Sequence, residues 1–125
     1  MAVDPGAIRR GSVVVVRMPG DKARPAVVVR SDVFAELAYA TILPITSERR
    51  EGIGLRIDLA PTADNGLKSP SQVMADWPQT IRLSAMGEVI GRLDPATMRA
   101  IAQRLAMLLG FGPGEGGAGR GTARS

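Results

Sequence analysis

The chain has 125 residues, enough for one domain with a real core and too few for two. It contains no cysteine and no histidine, which excludes disulfides, thiolate chemistry, the usual acid–base side chain at neutral pH and the commonest zinc ligand. Sixteen Lys and Arg against twelve Asp and Glu leave +4, a weak bias toward anionic partners. With no signal-peptide pattern and no apolar run of membrane length, a cytoplasmic protein with no membrane partner is expected.

In chain order, residues 1–8 carry no periodic pattern and are expected to form a flexible N-terminus. From Ser12 the apolar residues come in short bursts bounded by Gly, Pro, Asp or Asn: "SVVVVR", "PAVVVRS", "YATILPIT", "GLRIDL", "SQVMAD" and "EVIGRL". Bursts of this length, rich in β-branched residues, predict strands. The first three are nearly continuous in apolar residues and should be covered on both faces, whereas "GLRIDL" alternates. Between the second and third, "SDVFAEL" predicts a short helical turn capped by Ser31 or Asp32. In "TADNGLKSP", Asn65 and Gly66 tolerate positive φ and predict a turn. After Leu93 the period changes: Asp94 is an N-cap and Pro95 suits the first helical position. Met98, Ile101, Ala102, Leu105, Leu108 and Leu109 then recur at helical spacing until Gly110. Residues 112–125 are rich in Gly with nothing large and apolar, so a disordered tail is expected. Five or six short strands and one helix make a mainly β domain, a small, strongly bent barrel with a C-terminal amphipathic helix.

"RRGSVVVV", "ARPAVVVRSDVF", "TILPITSE", "NGLKSPSQVMADWPQTI" and "GRLDPATM" resemble, in that order, the MazF/PemK toxins of toxin-antitoxin systems. The resemblance covers about Arg9 to Gly110 and places the domain at 9–111. It implies a small SH3-like β-barrel that forms a homodimer, is held inactive by a cognate MazE/PemI-like antitoxin, and cuts single-stranded RNA without a metal or other cofactor. Internal attack by the 2′-hydroxyl would leave 2′,3′-cyclic phosphate and 5′-hydroxyl ends. Carried over by position, the family's catalytic residues fall on Arg24, Thr46, Ser47 and Asp76. Two departures from the family pattern are Trp77 and Gln79, where many relatives have Gln or Lys and Arg, and the loop before Arg24 is short.

Arg24 would offer a two-pronged set of donors to a phosphoryl group and does not titrate at neutral pH; the alternative is a surface arginine paired to Asp21 or Asp32. Thr46 and Ser47 are hydroxyl donors at a strand end, or a turn in which Ser47 serves its own backbone. Asp76 is the carboxylate considered as general base, or it orients Arg24 or the ribose. Trp77 could stack on a base or pack in the core or a dimer interface. Lys22, Arg49, Arg50, Lys68 and Gln79 complete the expected RNA-binding set, and Met98 and Met107 read as core filling. Two other functions use the same fold. One is a CcdB-like DNA gyrase poison, disfavoured because the helix ends "LLGFG" without tryptophan; the other is a nucleic-acid-binding barrel impaired in catalysis.

Overall fold

The computed structural model describes residues 8–17, 20, 22–51 and 54–111; the expected Gly-rich tail and nearly all of the expected flexible N-terminus lie outside them. The strands are β1 (Ser12–Arg17), β2 (Ala23–Val28), β3 (Tyr39–Thr46), β4 (Arg56–Leu59), β5 (Ser71–Met74), β6 (Gln79–Arg82) and β7 (Met86–Arg92), followed by helix α1 (Pro95–Leu109). All six apolar bursts form strands. The seventh strand, β6, arises from "QTIR", whose single apolar residue gave no burst.

Each pairing is antiparallel, and the strand order is β4-β5-β3-β2-β1-β7, with β6 also paired to β3. The long strand β3 is shared: Tyr39–Ile42 pair with β6, and Ile45–Thr46 pair with β5. That split bends the sheet at β3. The hydrogen-bonded path ends at β4 and β7, so among the described residues the sheet is strongly bent and open where a closed barrel was expected.

The valine-rich strands are buried on both faces, as their unbroken apolar runs predict. Val13, Val27, Leu43, Ile45 and Val73 pack with Met98 and Ile101 of α1 on one side. Val14, Val16, Ala26, Val28 and Ile42 pack with Ile8 and Met86 on the other. Alternate residues of β1, β2 and β3 therefore feed two clusters, which makes the three-strand centre the rigid frame of the molecule.

Helix α1 begins at Asp94, whose carboxylate accepts from the Thr97 backbone N–H at 2.7 Å, and ends at Gly110 in the left-handed conformation (φ 82°). Only the first half of its apolar stripe is buried. Met98 is core as expected, but Met107 is 53% exposed and is not core filling. The predicted turn after β2 is a short 3-10 helix, Asp32–Phe34, capped by Ser31. No helix among the described residues is long and apolar enough to cross a membrane.

Candidate active site

A cleft of about 440 Å³ opens where the start of β2 meets the end of β3. Its polar lining includes Lys22, Arg24, Thr46, Ser47, Glu48 and Lys68, and its apolar wall includes Pro25, Ile45, Leu67 and Ile90. Register explains the convergence. Ala26 pairs with Pro44, and the same antiparallel register continued by two residues leads to Arg24 and Thr46. On its other side Arg24 pairs with Val16, whose side chain is buried, so the half-buried arginine stands on a strand fixed from beneath. Its side chain thus leaves a fixed backbone at the cleft wall, and a guanidinium there offers paired donors to a phosphoryl group. Of the partners weighed for Arg24, Asp21 lies outside the described residues. Asp32 accepts from the Arg10 backbone N–H at 2.7 Å and lies 3.9 Å from the Arg9 guanidinium.

At the end of β3 the Thr46 hydroxyl accepts from the Glu48 backbone N–H at 3.0 Å. Local turn chemistry thus falls on Thr46, where it was expected on Ser47. Because the oxygen is already accepting, its O–H hydrogen is the part left to donate, and Ser47 adds a second, exposed hydroxyl in the same cleft.

The opposite wall is the turn carrying Gly66, Leu67 and Lys68. Buried Asn65 organises it: the amide oxygen accepts from the backbone N–H groups of Thr62 and Leu67, both at 3.0 Å, and the amide nitrogen donates to Ala60 at 2.9 Å. Gly66 has φ 71°, and a Cβ there would collide with the Ile90 carbonyl. The turn lies directly against β7, which only glycine allows.

The structure brings together Lys22, Arg24, Thr46, Ser47 and Lys68. Asp76 does not line the cleft. Its carboxylate accepts from Arg56 Nε at 3.2 Å and Arg56 Nη2 at 3.4 Å, and the Arg56 side chain is only 7% exposed. Asp76 therefore serves as counter-charge to a buried arginine twenty residues earlier, where it had been considered as a base or a guide for Arg24. Trp77 is 55% exposed and forms no part of the core, and Gln79 sits in β6; neither lines the cleft. Arg49 and Arg50 lie just past Glu48 on an exposed segment and are not cleft-lining residues.

Sequence reasoning missed Glu48, the one carboxylate among the described residues that line the cleft. In "TSERR" it has the look of one solvated charge beside two others; only its position straight after Thr46 and Ser47 could have marked it. Among the described residues no three His, Cys, Asp or Glu side chains are grouped so as to hold a metal. The cleft thus presents cations, hydroxyl donors and one carboxylate against an apolar wall. That set suits an anionic, phosphate-bearing substrate.

The family model described as PemK-like, MazF-like toxin of type II toxin-antitoxin system matches residues 9–109. The chain is 30% identical over 107 residues to a probable endoribonuclease MazF of Mycolicibacterium smegmatis, covering 83% of this chain and 98% of that protein. It is 36% identical over 86 residues to endoribonuclease MazF3 of Mycobacterium tuberculosis, covering 68% and 81%. Among solved structures it resembles a mycobacterial endoribonuclease in complex with its cognate antitoxin, with a TM-score of 0.72 and 30% identity, covering 83% of this chain and 96% of that one.

Proposed function

The chain belongs to the PemK-like, MazF-like toxins of type II toxin-antitoxin systems, and on that premise we propose that it is an endoribonuclease that cuts single-stranded RNA in the Arg24 cleft. The observation that carries the proposal is the convergence of Arg24, Thr46, Ser47, Glu48 and Lys68 on one cleft from three separate stretches of sequence. A cognate antitoxin restrains the enzyme, and the working unit is a homodimer.

The reaction is attack of the ribose 2′-hydroxyl on the adjacent phosphorus. Glu48 takes the 2′-hydroxyl proton; the 2′-oxygen to phosphorus bond forms as the phosphorus to 5′-oxygen bond breaks. The leaving 5′-oxygen takes a proton from the Thr46 or Ser47 hydroxyl, and the proton held by Glu48 returns to that hydroxyl through water, which restores both groups. The products carry a 2′,3′-cyclic phosphate and a 5′-hydroxyl. Arg24 holds the phosphoryl oxygens with both prongs while negative charge grows on them, and the apolar wall of Ile45, Leu67 and Ile90 strengthens that attraction by excluding water. Lys22 and Lys68 bind the phosphates on either side and contribute mainly affinity.

The test is cleavage of a short RNA by wild type, Arg24→Lys and Glu48→Gln. Lysine keeps the charge but not the fork, so Arg24→Lys lowers kcat by ~100-fold with RNA affinity nearly unchanged. Glu48→Gln keeps the shape of the side chain but removes the proton acceptor, and with it most of the rate. A substrate with one 2′-deoxy sugar at the cut site binds and stays intact. Cleavage of that substrate, or an Arg24→Lys protein at full rate, refutes the proposal.

A further inference from the structure

Gln72 borders the Thr46 edge of the cleft without being one of its lining residues. Gln72 of β5 is 6% exposed, a buried amide in the middle of the sheet. It pairs in register with Thr46 on one side and Asp58 on the other, so the side chains of Thr46, Gln72 and Asp58 form a row on one face of three strands. The amide oxygen of Gln72 accepts from the Arg50 backbone N–H at 2.9 Å. Its nitrogen donates to the Arg50 carbonyl at 3.1 Å and to Asp58 Oδ1 at 2.9 Å. Both amide hydrogens are thereby used. Turned over, the amide would set its oxygen against two acceptors and its NH₂ against a donor, so Asp58 and Arg50 together dictate one orientation. Thr46 meanwhile accepts from the Glu48 N–H at 3.0 Å. The segment 47–50, which has no ladder partner among the described residues, is therefore pinned to the sheet at Glu48 and at Arg50 by adjacent members of this row.

We propose that Gln72, oriented by Asp58, is a positioning residue for RNA cleavage: it clamps Arg50 and so holds Ser47 and Glu48 in reacting position beside Arg24. The inference rests on the endoribonuclease reading. A carboxylate and hydroxyl displaced by an ångström lose rate much faster than they lose binding, because phosphate affinity resides in cations elsewhere in the cleft.

The test is a charge-conserving swap. Gln72→Glu keeps an acceptor for the Arg50 N–H but turns carboxylate oxygens toward the Arg50 carbonyl and Asp58. Adding Asp58→Asn restores a donor–acceptor pair with its direction reversed and returns the net charge to that of wild type. The expected result on a short RNA is a kcat reduced ~30-fold in Gln72→Glu with KM changed less than about threefold, and at least ~5-fold of the lost rate recovered in the double variant. Asp58→Asn alone, whose amide oxygen still accepts from Gln72, stays within about threefold of wild type. A Gln72→Glu protein at full kcat, or a double variant no faster than the single, overturns the proposal. Amide exchange on the wild type provides an arm that needs neither a folded variant nor cleavage. The Arg50 N–H, though on an exposed segment, is slowed ~100-fold or more relative to unstructured chain, and an unprotected Arg50 amide overturns the clamp. A wild type that cuts no RNA refutes the functional reading instead, and the exchange result then decides the clamp alone.

Discussion

Removing the Asp76 carboxylate separates a structural role from a catalytic one. Asp76→Ala leaves the Arg56 guanidinium, 7% exposed, without the two bonds it makes at 3.2 and 3.4 Å. Stranding one partner of a buried pair costs about 3–5 kcal/mol. Because Asp76 itself is 22% exposed, water can reach part of the site and the cost falls near the lower end, about 3 kcal/mol. For a domain of this size that is a melting-temperature drop of roughly 10 °C. The replacement Arg56→Met with Asp76→Leu fills the same space without charge and regains most of the loss. Thermal denaturation followed by circular dichroism measures both, and cleavage is measured well below the transition. The expected kcat per folded molecule stays within about threefold of wild type for either variant, since Asp76 is not among the cleft-lining residues. A kcat lowered ~100-fold with unchanged stability would refute this reasoning and return Asp76 to the chemistry.

Cleavage persists in excess EDTA, because the described residues of the cleft offer one carboxylate and the chain has no imidazole or thiol to complete a ligand set; a strict requirement for added Mg²⁺ contradicts this. Gly66→Ala combines a positive φ with a collision against the Ile90 backbone and destabilises by about 2–3 kcal/mol, read from a urea midpoint. Asp94 contributes a pH dependence. The Thr97 hydroxyl, then the Thr97 backbone N–H, hold its carboxyl below the ordinary value of 3.8 in the folded chain. Its stabilisation is therefore complete above that value and is lost as pH falls through the lower folded one. Urea midpoints at pH 7, 4 and 3 fall more steeply for wild type than for Asp94→Asn, whose amide oxygen still caps the helix.

The strands were legible wherever burial on one or both faces wrote itself into an apolar run, as in "SVVVVR" and "YATILPIT". Strand β6 was hidden because it needs only Ile81 on the apolar side, where Ile81 packs at the margin of a core cluster. The helix was legible from Asp94 to Gly110, but its stripe overstates its burial: Leu108 and Leu109 continue the period yet are exposed, and so is Met107. Arg24, Thr46 and Ser47, placed by the family resemblance, and Lys68, read from its loop position, line one cleft. Nothing local in "MADWPQ" reveals that Arg56 is the partner of Asp76. Glu48 and Gln72 went unread for opposite reasons. One sits among exposed charges that resemble solvated loop, and the other is a single amide inside an apolar burst whose bonds all go to distant residues.

The central claim is that this cleft cuts RNA by internal attack, and the most direct measurement is the mass of the products. Purified wild-type protein is incubated with a defined single-stranded RNA in EDTA, and the fragments are weighed by mass spectrometry. Upstream fragments are expected to end in a 2′,3′-cyclic phosphate and downstream fragments to begin with a 5′-hydroxyl; fragments with 3′-hydroxyl and 5′-phosphate ends would rule out internal attack.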